Sequence, residues 1–178
     1  MARNEFELSS DQNNLLILDR LGKGVAFADE IFGLVSKSQF FTEFSRDEIT
    51  TLASYLDMYR APPGAVIIRE GDAGDFMLLI IDGEVDILKT GLRGEQQRMT
   101  SAGPGMSVGE MSMIDGEPRF ATCVAARTTT FAVMTRDRMA TIILDDPSLG
   151  SKILVKLVTM LSLRLRQTSA KLLRYMEQ

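Results

Sequence analysis

Histidine is absent from this 178-residue chain and cysteine occurs once. Without histidine, Ser-His-Asp and Cys-His nucleophilic catalysis, histidine general bases and His-containing zinc sites are all excluded together. Carboxylates remain, but no pair of acids has a spacing that marks a general acid and its partner. A single cysteine rules out an intramolecular disulfide, and Cys123, within Ala-Thr-Cys-Val-Ala, reads as a small buried hydrophobe on a strand. No apolar run approaches the ~20 residues of a membrane helix, and nothing resembles a secretory leader, so a cytoplasmic location is expected. What is there is ordinary: 45% hydrophobic and 25% charged residues, enough for one domain with attached helices. A net charge of −4 weighs against a general nucleic-acid coat but leaves room for a local basic face.

Residues 1–26 are polar, then weakly apolar at Leu15-Leu16-Ile17-Leu18, a run that periodicity leaves open between strand and helix. Apolar residues at 27, 31, 32, 34 and 35 suit a short amphipathic helix over Phe27 to Val35. Ser45-Arg46-Asp47-Glu48 is a capping box and starts a helix to about Asp57. From Tyr59 to Met134 the texture changes to short β-rich runs between glycine turns. The runs are Ala65–Ile68, Met77–Ile81, Val85–Leu88, Gln97–Thr100, Ala121–Ala125 and Thr129–Met134, and Asp82-Gly83 reads as a hairpin turn. So many short strands indicate a β-sandwich or barrel. A short helix from Arg136 to Leu144 stops at Asp146-Pro147, and a long one follows from about Ser148 to Glu177. In it Leu154, Val158, Leu161, Leu165, Thr168, Leu172 and Tyr175 recur at spacings of three and four. That is a heptad seam, either laid on the barrel or paired in a two-fold coiled coil.

Between these regions lies Gly109-Glu110-Met111-Ser112-Met113-Ile114-Asp115-Gly116-Glu117-Pro118-Arg119-Phe120-Ala121-Thr122. It offers a glycine where backbone can approach a ligand, a carboxylate, about one turn of helix, a Gly-Glu-Pro turn and an arginine. A helix start presents unpaired N–H groups to an anion, and an arginine can close over the same anion with its planar fork. Glu110, without metal-ligand company, suits sugar hydroxyls. The stretch is a cradle for a small ligand with one phosphate and a ribose.

The stretch resembles the phosphate-binding cassette of cyclic-nucleotide-binding domains, shared by catabolite-activator-type regulators and the regulatory subunits of cyclic-AMP-dependent protein kinase. Gly109, Glu110, Met111, Ser112, Met113, Arg119, Ala121 and Thr122 match that pattern, and Gly71 and Gly83 fall where the family has glycines. The resemblance covers about residues 40–177. It implies a mainly β jelly-roll barrel with helices before it and a long dimerisation helix after it. The domains would be an N-terminal extension (1–36), the β-roll with its preceding helix (37–135) and the C-terminal helices (136–178). Arg119 would pair with the exocyclic phosphate oxygens, Glu110 would accept the ribose 2′-hydroxyl, and the Met111 and Ser112 N–H groups would hold the phosphate. Phe120 stands where the family has a small residue; its ring could fill the pocket, turn outward or wall the ligand. The lack of threonine there argues for cyclic AMP over cyclic GMP. Thr168 and Ser169 occupy the place of the adenine-reading Thr-Ser pair on the dimer helix, with a tolerated seam threonine as the plain alternative.

Basic residues Lys152, Lys156, Arg164, Arg166, Lys171 and Arg174 give the final helix a positive character, read as the solvated face of a coiled coil or, alternatively, a contact for nucleic acid or an acidic partner. The expectation is therefore a cyclic AMP sensor, not an enzyme and without cofactor or metal. It would dimerise through residues 148–177 and signal to a protein partner by moving its long helix. Helix-turn-helix DNA binding is not carried over, since the family's regulators continue past the dimer helix into that domain. Residues 1–36 are the expected output surface. Three other readings compete: a pseudo-receptor closed by Phe120, a truncated transcription regulator, and a carboxylate-dependent sugar-active enzyme.

Overall fold

The computed structural model describes residues 14–34, 38 and 40–177. Among the described residues there are nine strands: β1 (Asp19–Lys23), β2 (Asp57–Ala61), β3 (Val66–Ile68), β4 (Phe76–Asp82), β5 (Val85–Thr90), β6 (Gln96–Ala102), β7 (Ser107–Val108), β8 (Thr122–Ala125) and β9 (Thr129–Thr135). They form two antiparallel sheets, ordered β1-β2-β9-β4-β7 and β3-β8-β5-β6. This is the jelly-roll barrel expected from the sequence. The span 1–36 contributes an edge strand, since β1 pairs with β2 across Asp19 and Arg60. Val35, the end of one expected helix, lies outside the described residues.

Strand β4 shows how the layers form. Alternate side chains point to opposite faces of a strand. Phe76, Leu78 and Ile80 enter the barrel core with Ile67, Val85 and Phe131. Met77, Leu79 and Ile81 face the other way, into a second core built with the helices. Asp82-Gly83 is a corner between sheets rather than the expected hairpin, because β4 pairs with β7 and β9 while β5 pairs with β6 and β8. Gly83 has φ +100°, and a Cβ there would stand 2.5 Å from Thr129, so only glycine makes this corner.

Among the described residues five α-helices pack on the second core: α1 (Ala28–Gly33), α2 (Arg46–Ser54), α3 (Glu110–Asp115), α4 (Arg136–Asp145) and α5 (Pro147–Met176). The capping box is formed: Glu48 N–H donates to Ser45 Oγ at 3.2 Å and Ser45 N–H to Glu48 Oε2 at 2.7 Å. Thr135 caps α4, and Asp146 caps α5 by accepting from the Leu149 N–H at 3.0 Å, with Pro147 at the first helical position. Leu149, Ile153, Leu157 and Met160 bury one stripe of α5 against the barrel and α2. Each such side chain contributes about 1.5–3 kcal/mol by leaving water. Lys152 on the same helix bonds the Glu48 carboxylate at 2.8 Å and the Glu43 carbonyl at 2.7 Å. The expected seam lies elsewhere on α5: Val158, Leu165, Leu172 and Tyr175 are exposed. Among the described residues no helix is long and apolar enough to cross a membrane.

Candidate functional site

β7 is followed by Gly109, whose φ of +83° turns the chain sharply into α3. A Cβ at Gly109 would stand 2.9 Å from Arg119 Nη1 and from Ile68, so the glycine serves both the turn and the close approach. Helix α3 stops at Gly116, also left-handed at φ +79°. Met111 is exposed on α3, whereas Ser112 is buried. The start of α4 holds the end of α3: Arg136 Nε and Nη2 donate to the Met113 and Ser112 carbonyls at 2.7 Å, and the Arg136 N–H donates to Asp75 O at 2.7 Å.

Two charged groups are buried at this end of the barrel, Glu110 at 2% exposure and Arg119 at 3%. Arg119 Nη1 donates to the carbonyls of Phe76 (2.7 Å) and Gly109 (2.8 Å), and its guanidinium lies 4.5 Å from the centre of the Phe76 ring. Glu110 Oε1 pairs with Arg164 Nη1 of α5, and Arg164 Nη2 reaches Ser107 O at 2.6 Å. Glu110 Oε2 is buried with no hydrogen-bond partner among the described residues. Burial pushes the Glu110 carboxyl above its ordinary range, and Arg164, its own N–H and Arg119 oppose that without cancelling it. A buried acceptor with an open lone pair beside an arginine is what a hydroxyl-bearing anion needs.

The remaining residues named from the sequence fall as follows. Ala121 is buried just before β8. Phe120 is 52% exposed and the centre of its ring sits 4.4 Å from Lys89 Nζ, outside the barrel core. Lys89 also bonds the Phe120 carbonyl and Glu70 Oε1, both at 2.7 Å. With Thr90 N–H as second donor, Lys89 holds the Glu70 carboxyl down to about 2. Thr168 lines an open cavity of about 670 Å³ between α5 and the sheet of β5 and β6, together with Arg164, Lys89, Met99 and Tyr175. Ser169 is exposed on α5 beside it.

A family model described as the cyclic nucleotide-binding domain matches residues 59–146. A cyclic nucleotide-binding domain of known structure from Methylobacillus flagellatus KT is 38% identical, with a TM-score of 0.81, over 90% of this chain and 93% of that one. The chain belongs to the cyclic nucleotide-binding domain family. It is also similar to the cyclic AMP receptor protein of Thermus thermophilus, at 29% identity over 76% of this chain and 61% of that protein. A cAMP-dependent protein kinase regulatory subunit from Aspergillus niger is 37% identical over 51% of this chain and 21% of its own length. The chain thus spans about three fifths, or less, of these curated relatives.

Within this cyclic nucleotide-binding domain, Arg164, expected on a solvated face or against nucleic acid or an acidic partner, instead bonds the barrel through Glu110 and Ser107. Its signal was spacing: Arg164, Thr168, Lys171 and Tyr175 share the face of α5 that lines the cavity.

Proposed function

We propose that this protein is a cyclic AMP sensor that reads the ligand through Glu110 and Arg119 and answers through α5. The observation that carries the reading is the buried Glu110, with one carboxylate oxygen tied to α5 by Arg164 and the other without a partner among the described residues. A ribose 2′-hydroxyl would satisfy that second oxygen, and the first-turn N–H groups of Met111 and Ser112 with the Arg119 guanidinium would take the cyclic phosphate. Thr168, over the cavity, and Ser169 would meet the adenine, one of them from a second copy if the exposed seam of α5 pairs as a coiled coil. The cation and acid here bind and orient, and no general acid–base pair is assigned.

Ligand and α5 would then share one carboxylate. A hydroxyl bonding Glu110 changes the contact by which Arg164 holds the helix, so occupancy alters the position of α5 through a difference in affinity between the two positions. A protein partner would receive that change, in keeping with a cytoplasmic regulator. The names of the relatives, a cyclic AMP receptor and a kinase regulatory subunit, favour cyclic AMP, and the exposed Phe120 does not fill the barrel against it.

Calorimetric titration with cyclic AMP and cyclic GMP, with Arg119→Ala as control, tests this. Binding at about micromolar affinity or tighter is expected for cyclic AMP and is lost in the variant, because removing the arginine strands a desolvated phosphate. No heat with either nucleotide, from folded protein free of carried-over ligand, would leave the domain a pseudo-receptor.

A further inference from the structure

Arg119 owes its place to the loop of residues 69–75, between β3 and β4, as much as to its own segment. Its N–H donates to Asp72 O at 2.8 Å, and its carbonyl accepts from the Gly71 N–H at 2.9 Å. The guanidinium then returns along the same loop to the Phe76 ring and carbonyl. Gly74 lies against it. A Cβ on Gly74 would stand 2.6 Å from Arg119 Nη2 and closer still to Nε and Cζ, far inside ordinary van der Waals contact. Gly74 is not among the glycines with positive φ, so its demand is for space and not for a special backbone conformation.

We propose that Gly74 is a positioning residue for the ligand's anion: by presenting no side chain it lets the Arg119 guanidinium lie against Phe76 at a fixed angle. This rests on the reading of Arg119 as the phosphate-pairing group. Bidentate pairing depends on the angle of the guanidinium fork, so a guanidinium displaced by a methyl group keeps its charge and loses its geometry. The obstacle a methyl group meets here is the far end of a flexible side chain and not main chain. The arginine therefore yields and the fold does not.

The test compares wild type, Gly74→Ala, Arg119→Lys and the double variant. Readouts are cyclic AMP titration, thermal midpoint, and the Arg119 Nε–Hε cross-peak in NMR, assigned by its loss in Arg119→Lys. Gly74→Ala is expected to move the cross-peak, to weaken cyclic AMP binding by about tenfold or more, and to shift the midpoint by less than about 4 °C. Arg119→Lys, which weakens the wild type, is expected to cost nothing further in the Gly74→Ala background. Wild-type binding with Gly74→Ala affinity within about twofold of it, an unmoved cross-peak, or additive losses would overturn the proposal. If the wild type binds neither cyclic AMP nor cyclic GMP, the sensor reading fails and the anion role fails with it. The cross-peak still decides, separately, whether Gly74 seats the arginine.

Discussion

The two halves of α5 are one continuous helix in very different surroundings. From Leu149 to Met160 it buries an apolar stripe against the barrel and α2, braced by Lys152 on Glu48. Beyond Met160 its apolar side chains, Leu165, Leu172 and Tyr175 among them, are exposed, and Arg164 ties it to the barrel through Glu110 and Ser107. The first half is fastened by shape and by removal of apolar surface from water, both indifferent to ligand. The second half is fastened by charge and hydrogen bonds, the kind of attachment that a polar ligand can alter. A helix built this way is packed into the core at one end and held by polar contacts at the other.

The largest effect expected from breaking this contrast is in the anchored half. Ile153 is fully buried, and Ile153→Ala should destabilise the fold by about 2–5 kcal/mol in urea denaturation followed by circular dichroism. A loss no larger than that of an exposed position would mean the first half is not an anchor.

The polar fastening is sharpened by pH. A carboxyl whose folded-state value is raised binds its proton more tightly in the fold than in the unfolded chain. Its stabilising contribution is therefore present below the ordinary value of 4.5 and declines as pH rises through the raised one. Glu110→Gln should flatten that part of the stability–pH curve, measured by urea midpoints from about pH 4 to about pH 8. Unchanged slopes in the two proteins would place the titration elsewhere.

The smallest effect on the single chain is expected at the far end. Leu172 is 59% exposed, and Leu172→Ala should alter the stability of the dilute protein by less than ~0.5 kcal/mol. In concentrated solution it should weaken self-association, read by sedimentation velocity. A wild type that stays monomeric at every concentration would remove the coiled-coil reading.

Local chemistry made much of the fold legible. The Ser45–Glu48 box, the Pro147 start of α5 and the Gly109-to-Thr122 segment all announce themselves within a few residues. Strand β1 escaped because Asp-Arg-Leu-Gly-Lys has neither alternation nor β-branching, and only its pairing with β2 makes it a strand. β7, at two residues, is too short to carry a pattern. On α5 two apolar stripes overlap in sequence, and periodicity could not say that Leu149, Ile153, Leu157 and Met160 meet the barrel while Val158, Leu165 and Leu172 stay exposed. At the candidate site, Glu110 and Arg119 stood out through the resemblance of their segment to the family's cassette, set in a β-rich run with matching glycines, their spacing alone being weak. Arg164 and Gly74 did not, since each acts on a residue distant in the chain, across 54 positions for Arg164 and Glu110.

The Arg136 staple, which fixes the last carbonyls of α3 to the first residue of α4, makes these two helices a crank. Whatever displaces α3 also displaces α4, and α4 meets α5 at the elbow of Asp146 and Pro147. Because Leu149 to Met160 stays packed in the core, the length of α5 that such a crank could move runs from Met160 to Met176, about 24 Å, and a bend of about 10° past Met160 would carry the tip through about 4 Å.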